Sequence, residues 1–155
     1  MRKYLLHVLI ISSVFLLAPT VQVASYAGAI EDAKEEVRKN PDDAEAHCNL
    51  GTAYAKSGKW KEAIKACKQA VRLDPDFASA YTFLGLAYGQ LGNDEESMIC
   101  YRKAISIDPD DAMAQYGLGA GYLLLNDIDS ALKQYKILKK LDTELANKLF
   151  DEINK

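Results

Sequence analysis

An interval of 34 residues recurs along this chain of 155 residues and constrains its fold more than any other feature. Three prolines stand at this interval, and three other residue types follow it in parallel. The matching sets are Pro41, Pro75 and Pro109; Leu50, Leu84 and Leu118; Gly51, Gly85 and Gly119; and Tyr54, Tyr88 and Tyr122. Self-similarity at a fixed period indicates stacked units, each of which buries its apolar face against its neighbours. The sequence therefore predicts three tandem units over 44–77, 78–111 and 112–143.

Each unit has the pattern of two helices joined by a short turn. In the second unit, large apolar and small residues recur at i, i+3, i+4 and i+7 from Tyr81 to Tyr88, which is the stripe of one helix face. The residues expected to follow the first helices in the left-handed conformation are Gly58, Gly92 and Asn126. The second helices should start near Trp60, Asp94 and Ile128, and two of them should end where Asp-Pro follows Leu73 and Ile107. The expected N-caps of the first helices are Asp42, Asp76 and Asp110.

This pattern resembles the tetratricopeptide repeat family, which has an aromatic residue, Leu-Gly, Tyr, Ala, a second aromatic residue, Ala and Pro at fixed positions. The second unit supplies Tyr81, Leu84, Gly85, Tyr88, Ser97, Tyr101, Ala104 and Pro109. Departures occur in the other units, at His47, Cys67, Gln115, Leu138 and Thr143. The resemblance implies an all-α, right-handed α-solenoid of three tetratricopeptide repeats with a C-terminal capping helix.

Two segments outside the repeats are predicted to cover the ends of the stack. An N-terminal capping helix and turn is expected over 28–43, where Ile30, Ala33 and Val37 share one helix face. The C-terminal capping helix is expected over 144–155, where the apolar stripe consists of Leu145, Leu149, Phe150 and Ile153. Such caps are needed because a terminal repeat cannot bury its outer face alone.

Residues 1–27 have the organisation of a signal peptide. Arg2 and Lys3 precede an almost wholly apolar run at 5–18, and small residues that suit cleavage after Ala27 follow it. The alternative is a membrane anchor through residues 5–18, but a spanning helix needs about 20 apolar residues. Export to a periplasmic or secreted location is therefore predicted, and cleavage would take the net charge from −3 to −5.

The remaining residues indicate neither catalysis nor a metal site. The acidic net charge disfavours nucleic acid, because a nucleic-acid binder needs a basic face. His47 and Cys48 are adjacent, and adjacent helical residues do not face each other. Since no Cys-x-x-Cys or His-x-x-x-His spacing occurs, no metal and no cofactor are expected. Buried free thiols are the favoured interpretation of Cys48, Cys67 and Cys100, with one disulfide as the alternative.

The resemblance further implies a concave groove that is lined by the first helix of each repeat. By repeat position, the residues expected to contact a partner are Cys48, Asn49, Thr52, Thr82, Phe83, Leu86, Met113, Tyr116 and Ala120. Relatives that clamp a terminal carboxylate use lysine, asparagine and arginine at positions that Thr52, Phe83 and Met113 occupy here. An apolar or amphipathic protein segment is therefore the expected ligand. The predicted function is a non-enzymatic interaction scaffold in an exported compartment, and the alternative is a self-associating structural repeat protein.

Overall fold

The structure is a computed structural model of the chain, and it describes residues 25–154. All regular elements in this range are α-helices. Helix α1 spans residues 25–39, and the others are α2 (Ala44–Lys56), α3 (Trp60–Leu73), α4 (Ala78–Gln90), α5 (Asp94–Ile107), α6 (Ala112–Leu124), α7 (Ile128–Leu141) and α8 (Thr143–Ile153). The apolar run at 5–18 lies outside the described residues, so its assignment as a signal or an anchor stays a prediction.

The helices follow the repeat closely. The first helices α2, α4 and α6 have 13 residues each, and the second helices α3, α5 and α7 have 14 each. The predicted starts of the second helices are confirmed at Trp60, Asp94 and Ile128. The predicted left-handed residues are also confirmed, with φ of 75° at Gly58, 76° at Gly92 and 57° at Asn126. The expected all-helical solenoid is therefore the observed fold.

The N-caps predicted at Asp42, Asp76 and Asp110 are wrong, because the first helices begin one residue later. Asp43 caps α2 and Asp111 caps α6, whereas the N-cap residue of α4 is Phe77 and forms no side-chain cap. The backbone N–H groups of Asp76 and Asp110 instead donate to the carboxylates of Asp74 and Asp108, each over 3.0 Å. These local aspartate turns enclose the proline and include the following residue, so the helix starts one position further on.

The first helices form the inner layer of the solenoid. Helix α2 contacts α4, α4 contacts α6, and α6 contacts α8, in addition to the contacts of each helix with its own hairpin partner. Within residues 25–154, no such contact joins α3 to α5 or α5 to α7. Because the inner side of a curved stack is the side on which successive helices touch, the row of first helices is the concave layer.

Tyr101 forms the main contact between the second and third repeats. Its side chain is buried, and its ring lies against Gly85 of its own repeat and Gly117 of the next. A Cβ atom on Gly117 would overlap this ring, and a Cβ atom on Gly85 would lie 2.9 Å from Cε1 of the ring and 3.1 Å from the backbone oxygen of Ser97. The glycines therefore provide the space that the tyrosine fills.

The junction between the first and second repeats uses the same positions with the sizes exchanged. Cys67 stands 34 residues before Tyr101, and Phe83 stands 34 residues before Gly117. Phe83 packs against the buried cluster that contains Cys67, and Cys67 itself is fully buried. A small and a large side chain thus fill each junction, which explains why a cysteine can occupy a position where an aromatic residue is usual.

Exchanging the sizes at the second junction should preserve its packing. Gly117→Phe alone should destabilise the fold by at least about 1–3 kcal/mol through overpacking. Tyr101→Cys alone should cost about 2–5 kcal/mol through a cavity. The double variant, measured by urea denaturation, should be clearly more stable than the sum of the two losses allows. Strict additivity would show that the two residues do not share one space.

Candidate functional site

An open cleft of about 560 Å³ lies on the inner face, between α4, α6 and α8. Most of its lining is apolar and comes from first helices. The larger lining side chains are Leu86, Met98, Tyr101, Met113, Tyr116, Leu124 and Leu145, and the charged ones are Asp94, Lys148 and Glu152. Small residues of α6 form part of its floor, namely Gly117, Ala120 and Gly121. Such a surface, mostly apolar with a few polar groups, suits a ligand that buries apolar side chains.

The nine predicted groove residues divide into three groups. Those that line this cleft are Leu86, Met113, Tyr116 and Ala120. Thr82 and Phe83 line a smaller adjoining cavity of about 200 Å³, to which Met113 also contributes. The residues from the first repeat, Cys48, Asn49 and Thr52, line neither cavity. The apolar part of the inner face therefore belongs to the second and third repeats.

Cys48 and Thr82 have contacts within the protein that their repeat positions did not indicate. Cys48 is 4% exposed and packs in a cluster with Ala70 and Ala80. Thr82 is 3% exposed, and its hydroxyl donates a hydrogen bond of 2.5 Å to the carboxylate of Asp111. In this structure both side chains are thus occupied in joining helices and offer little surface to a partner.

Helix α8 provides a wall of the cleft that sequence reasoning did not include. The hydroxyl group of Tyr116 donates to Glu152 over 2.7 Å, and Nζ of Lys148 lies 4.8 Å from the centre of the tyrosine ring. Burial, followed by the hydrogen bond to Glu152, raises the pKa of Tyr116 above its usual value. Tyr116 therefore stays protonated at neutral pH and holds α8 against α6.

The three cysteines are free and buried. Burial raises the pKa of Cys48 and of Cys100 to about 11 and that of Cys67 to about 12. A thiol with a raised pKa is a weak nucleophile at neutral pH, so these residues act as small apolar side chains. Among residues 25–154, no group of three or more potential metal ligands occurs.

The thiols predict a loss of stability at alkaline pH. A thiol with a raised folded-state pKa stabilises the fold below its unfolded pKa of about 8.5, and this contribution declines as pH rises toward the folded pKa. Urea denaturation should therefore give a lower free energy of unfolding at pH 10 than at pH 7. The Cys48→Ala/Cys100→Ala variant should lose less between the two values. An equal loss in variant and parent would contradict the assignment.

None of the helices over residues 25–154 is both long and apolar enough to cross a membrane. This finding concerns the described range and leaves the apolar run at 5–18 untested.

Comparisons with known proteins agree with the repeat boundaries. Residues 44–77 and residues 78–111 each match a model described as tetratricopeptide repeat. No curated protein matches the chain significantly. The matches coincide with the first two predicted repeats, and α6–α7 continues their helix lengths and stacking.

Solved structures with similar folds include other tetratricopeptide-repeat proteins. The crystal structure of MamA is 24% identical, has a TM-score of 0.70, and aligns over 84% of this chain and 87% of its own. A thermophilic tetratricopeptide-repeat protein of Thermus thermophilus is 23% identical, with a TM-score of 0.74 and coverage of 87% and 76%. The first repeat domain of Spaghetti (RPAP3) bound to an HSP90 peptide is 24% identical, with a TM-score of 0.66 and coverage of 71% and 90%. The chain therefore contains tetratricopeptide repeats at 44–77 and 78–111 and has the fold of a tetratricopeptide-repeat solenoid.

Proposed function

We propose that this chain is a non-enzymatic scaffold that binds an apolar or amphipathic segment of a partner protein in the cleft between α4, α6 and α8. The observation that carries the proposal is the exposure of apolar side chains at a concave site. Met113 is 45% exposed at the cleft, and Leu124 is 69% exposed at the same surface. Exposed apolar surface of this kind is typical of interaction sites, because water covers it at a cost that a partner removes.

One structural neighbour supports a peptide as the class of ligand but differs in detail. The first repeat domain of Spaghetti is bound to the HSP90 peptide SRMEEVD, which is rich in carboxylates. The cleft in this chain instead combines apolar walls with the carboxylates of Asp94 and Glu152 and a single lysine, Lys148. An acidic peptide would meet like charges here, so an apolar segment is the better ligand.

Two glutamates in the cleft should abolish partner binding. The Leu86→Glu/Met113→Glu variant places two charges where apolar side chains should dock, and burying an unpaired charge is costly. Both residues are partly exposed, so helix content and melting temperature should change little. Pull-down of the native partner and circular dichroism measure the two effects.

The matched control is Ile99→Glu/Ile137→Glu, because these apolar residues are also exposed but lie on second helices, away from the cleft. The control should keep its partner. If the cleft variant unfolds, its residues belong to the core, and if it folds and still binds, the partner uses another surface.

We further propose that the scaffold acts outside the cytoplasm, in a periplasmic or secreted location, where it helps to assemble or stabilise a complex. This proposal rests on Arg2, Lys3 and the apolar run at 5–18. The alternative location is the membrane surface, with residues 5–18 as an anchor.

N-terminal sequencing of the native protein tests the export proposal. Cleavage after Ala27 predicts a mature chain that begins at Gly28 and is recovered from the envelope or the medium. An intact Met1 in the membrane fraction would favour the anchor, and an intact Met1 in the cytoplasmic fraction would contradict export.

A further inference from the structure

The turns within the three hairpins lie along one edge of the solenoid, because the hairpins stack in the same orientation. At the second and third repeats this edge carries exposed apolar side chains, namely Leu91, Leu124, Leu125 and Ile128. The same two turns and the first turns of the helices that follow carry five acidic residues: Asp94, Glu95, Glu96, Asp127 and Asp129. We call these nine residues the acidic edge. It is continuous with the cleft, because Asp94 and Leu124 line both.

The corresponding edge of the first repeat has the opposite charge. Lys56, Lys59 and Lys61 are exposed there, with Glu62 as the acidic residue of the first turn of α3. The charge therefore changes sign along the edge, from basic at the first repeat to acidic at the other two. A basic segment would be attracted to the second and third repeats and repelled from the first, which fixes where it binds.

Helix capping explains only part of this arrangement. Acidic residues in a first turn stabilise a helix through its dipole, and the Asp127 side chain accepts from the backbone N–H of Ser130 at the start of α7. By contrast, Asp94, Glu95, Glu96 and Asp129 form no side-chain hydrogen bond or salt bridge within the described residues. Capping also gives no reason for the exposed leucines beside them.

The nearest cations leave the acidic edge largely uncompensated. Lys133 lies close enough to contribute to the lowered pKa of Asp127, after the hydrogen bonds from Ser130. Lys68 senses Glu96, but its ammonium group lies over the ring of Tyr88 at 5.5 Å. Two cations beside five carboxylates leave a negative surface next to exposed apolar side chains.

This combination selects one class of occupant. A membrane surface rich in anionic lipids would be repelled by the carboxylates. A second copy that paired edge to edge about a two-fold axis at the second repeat would set Asp94, Glu95 and Glu96 against their own counterparts. A separate segment with basic residues next to apolar ones meets neither obstacle.

We propose that the acidic edge extends the cleft and binds the basic end of the partner segment. The segment is thus amphipathic, with apolar side chains in the cleft and lysine or arginine residues at the edge of the second and third repeats. This inference rests on the proposed function of the cleft.

Three synthetic peptides test it. They share one amphipathic apolar stretch and end in a run of lysines, of serines or of glutamates. Fluorescence anisotropy with the full mature chain should show the lysine peptide binding about tenfold more tightly than the serine peptide, and the glutamate peptide more weakly than either. The preference should decrease at high salt, because added ions screen exposed charges.

Variants separate the edge from the cleft. Asp94→Asn/Glu95→Gln/Glu96→Gln should reduce the preference for lysine to less than about threefold and leave the serine peptide unaffected. The matched control, Asp32→Asn/Glu144→Gln/Asp151→Asn, removes three exposed carboxylates of α1 and α8 and should keep the preference. The Leu86→Glu/Met113→Glu variant should lose all three peptides.

Several results would overturn the inference. Equal binding of the three peptides would remove the role of the edge and leave the cleft proposal standing, whereas no binding of any peptide would overturn both. Sedimentation that finds a dimer dispersed by Leu124→Ser/Leu125→Ser would make a second copy the occupant. Binding to vesicles of phosphatidylcholine and phosphatidylglycerol that the edge variant changes would make a membrane the occupant.

Discussion

The structure depends on the insertion of one second-helix side chain between two successive first helices. Tyr101 occupies this place between Gly85 and Gly117, and its ring leaves no space for a Cβ atom on either glycine without a shift of its surroundings. The contact joins the two helices of one repeat and also joins that repeat to the next. Since each repeat buries its apolar face only in this way, the spacing of these residues determines the direction and register of the stack.

The same small residues shape the surface that we propose as the binding site. Helix α6 carries glycine or alanine at 117, 119, 120 and 121, which permits close contact with Tyr101, Met98 and Leu149. Three of these positions also form part of the cleft. A helix that packs closely on its neighbours through small residues has few large side chains left to fill its inner face. The cleft is thus a direct consequence of how α6 packs.

The repeat interval was sufficient to predict the helices, because Pro75, Pro109, Gly58 and Gly92 act locally on the backbone. The N-caps were misplaced by one residue because two local effects of aspartate compete around the Asp-Pro turn. Side-chain burial followed the family pattern less well. The position of Thr82 in the repeat does not reveal its hydrogen bond to Asp111, which depends on residues 29 positions apart.

The contribution of α8 to the cleft was also beyond the repeat pattern. A single residue, Asp142, ends α7 and caps α8, whereas four residues separate α5 from α6. This shorter connection changes the register of α8 relative to the first helices, so its groove residues could not be assigned by adding 34. The apolar stripe at Leu145 and Leu149 predicted the helix itself, and only the three-dimensional packing places Lys148 and Glu152 beside Tyr116.

Site-specific photocrosslinking in the native host tests the central claim most directly. A photoreactive amino acid at position 113 lies in the cleft, and one at position 99 lies on an exposed second-helix face. The account predicts that position 113 crosslinks one partner that an excess of the lysine peptide displaces, and that position 99 does not. Crosslinking of that partner from position 99 but not from position 113 would contradict a binding site on the concave face.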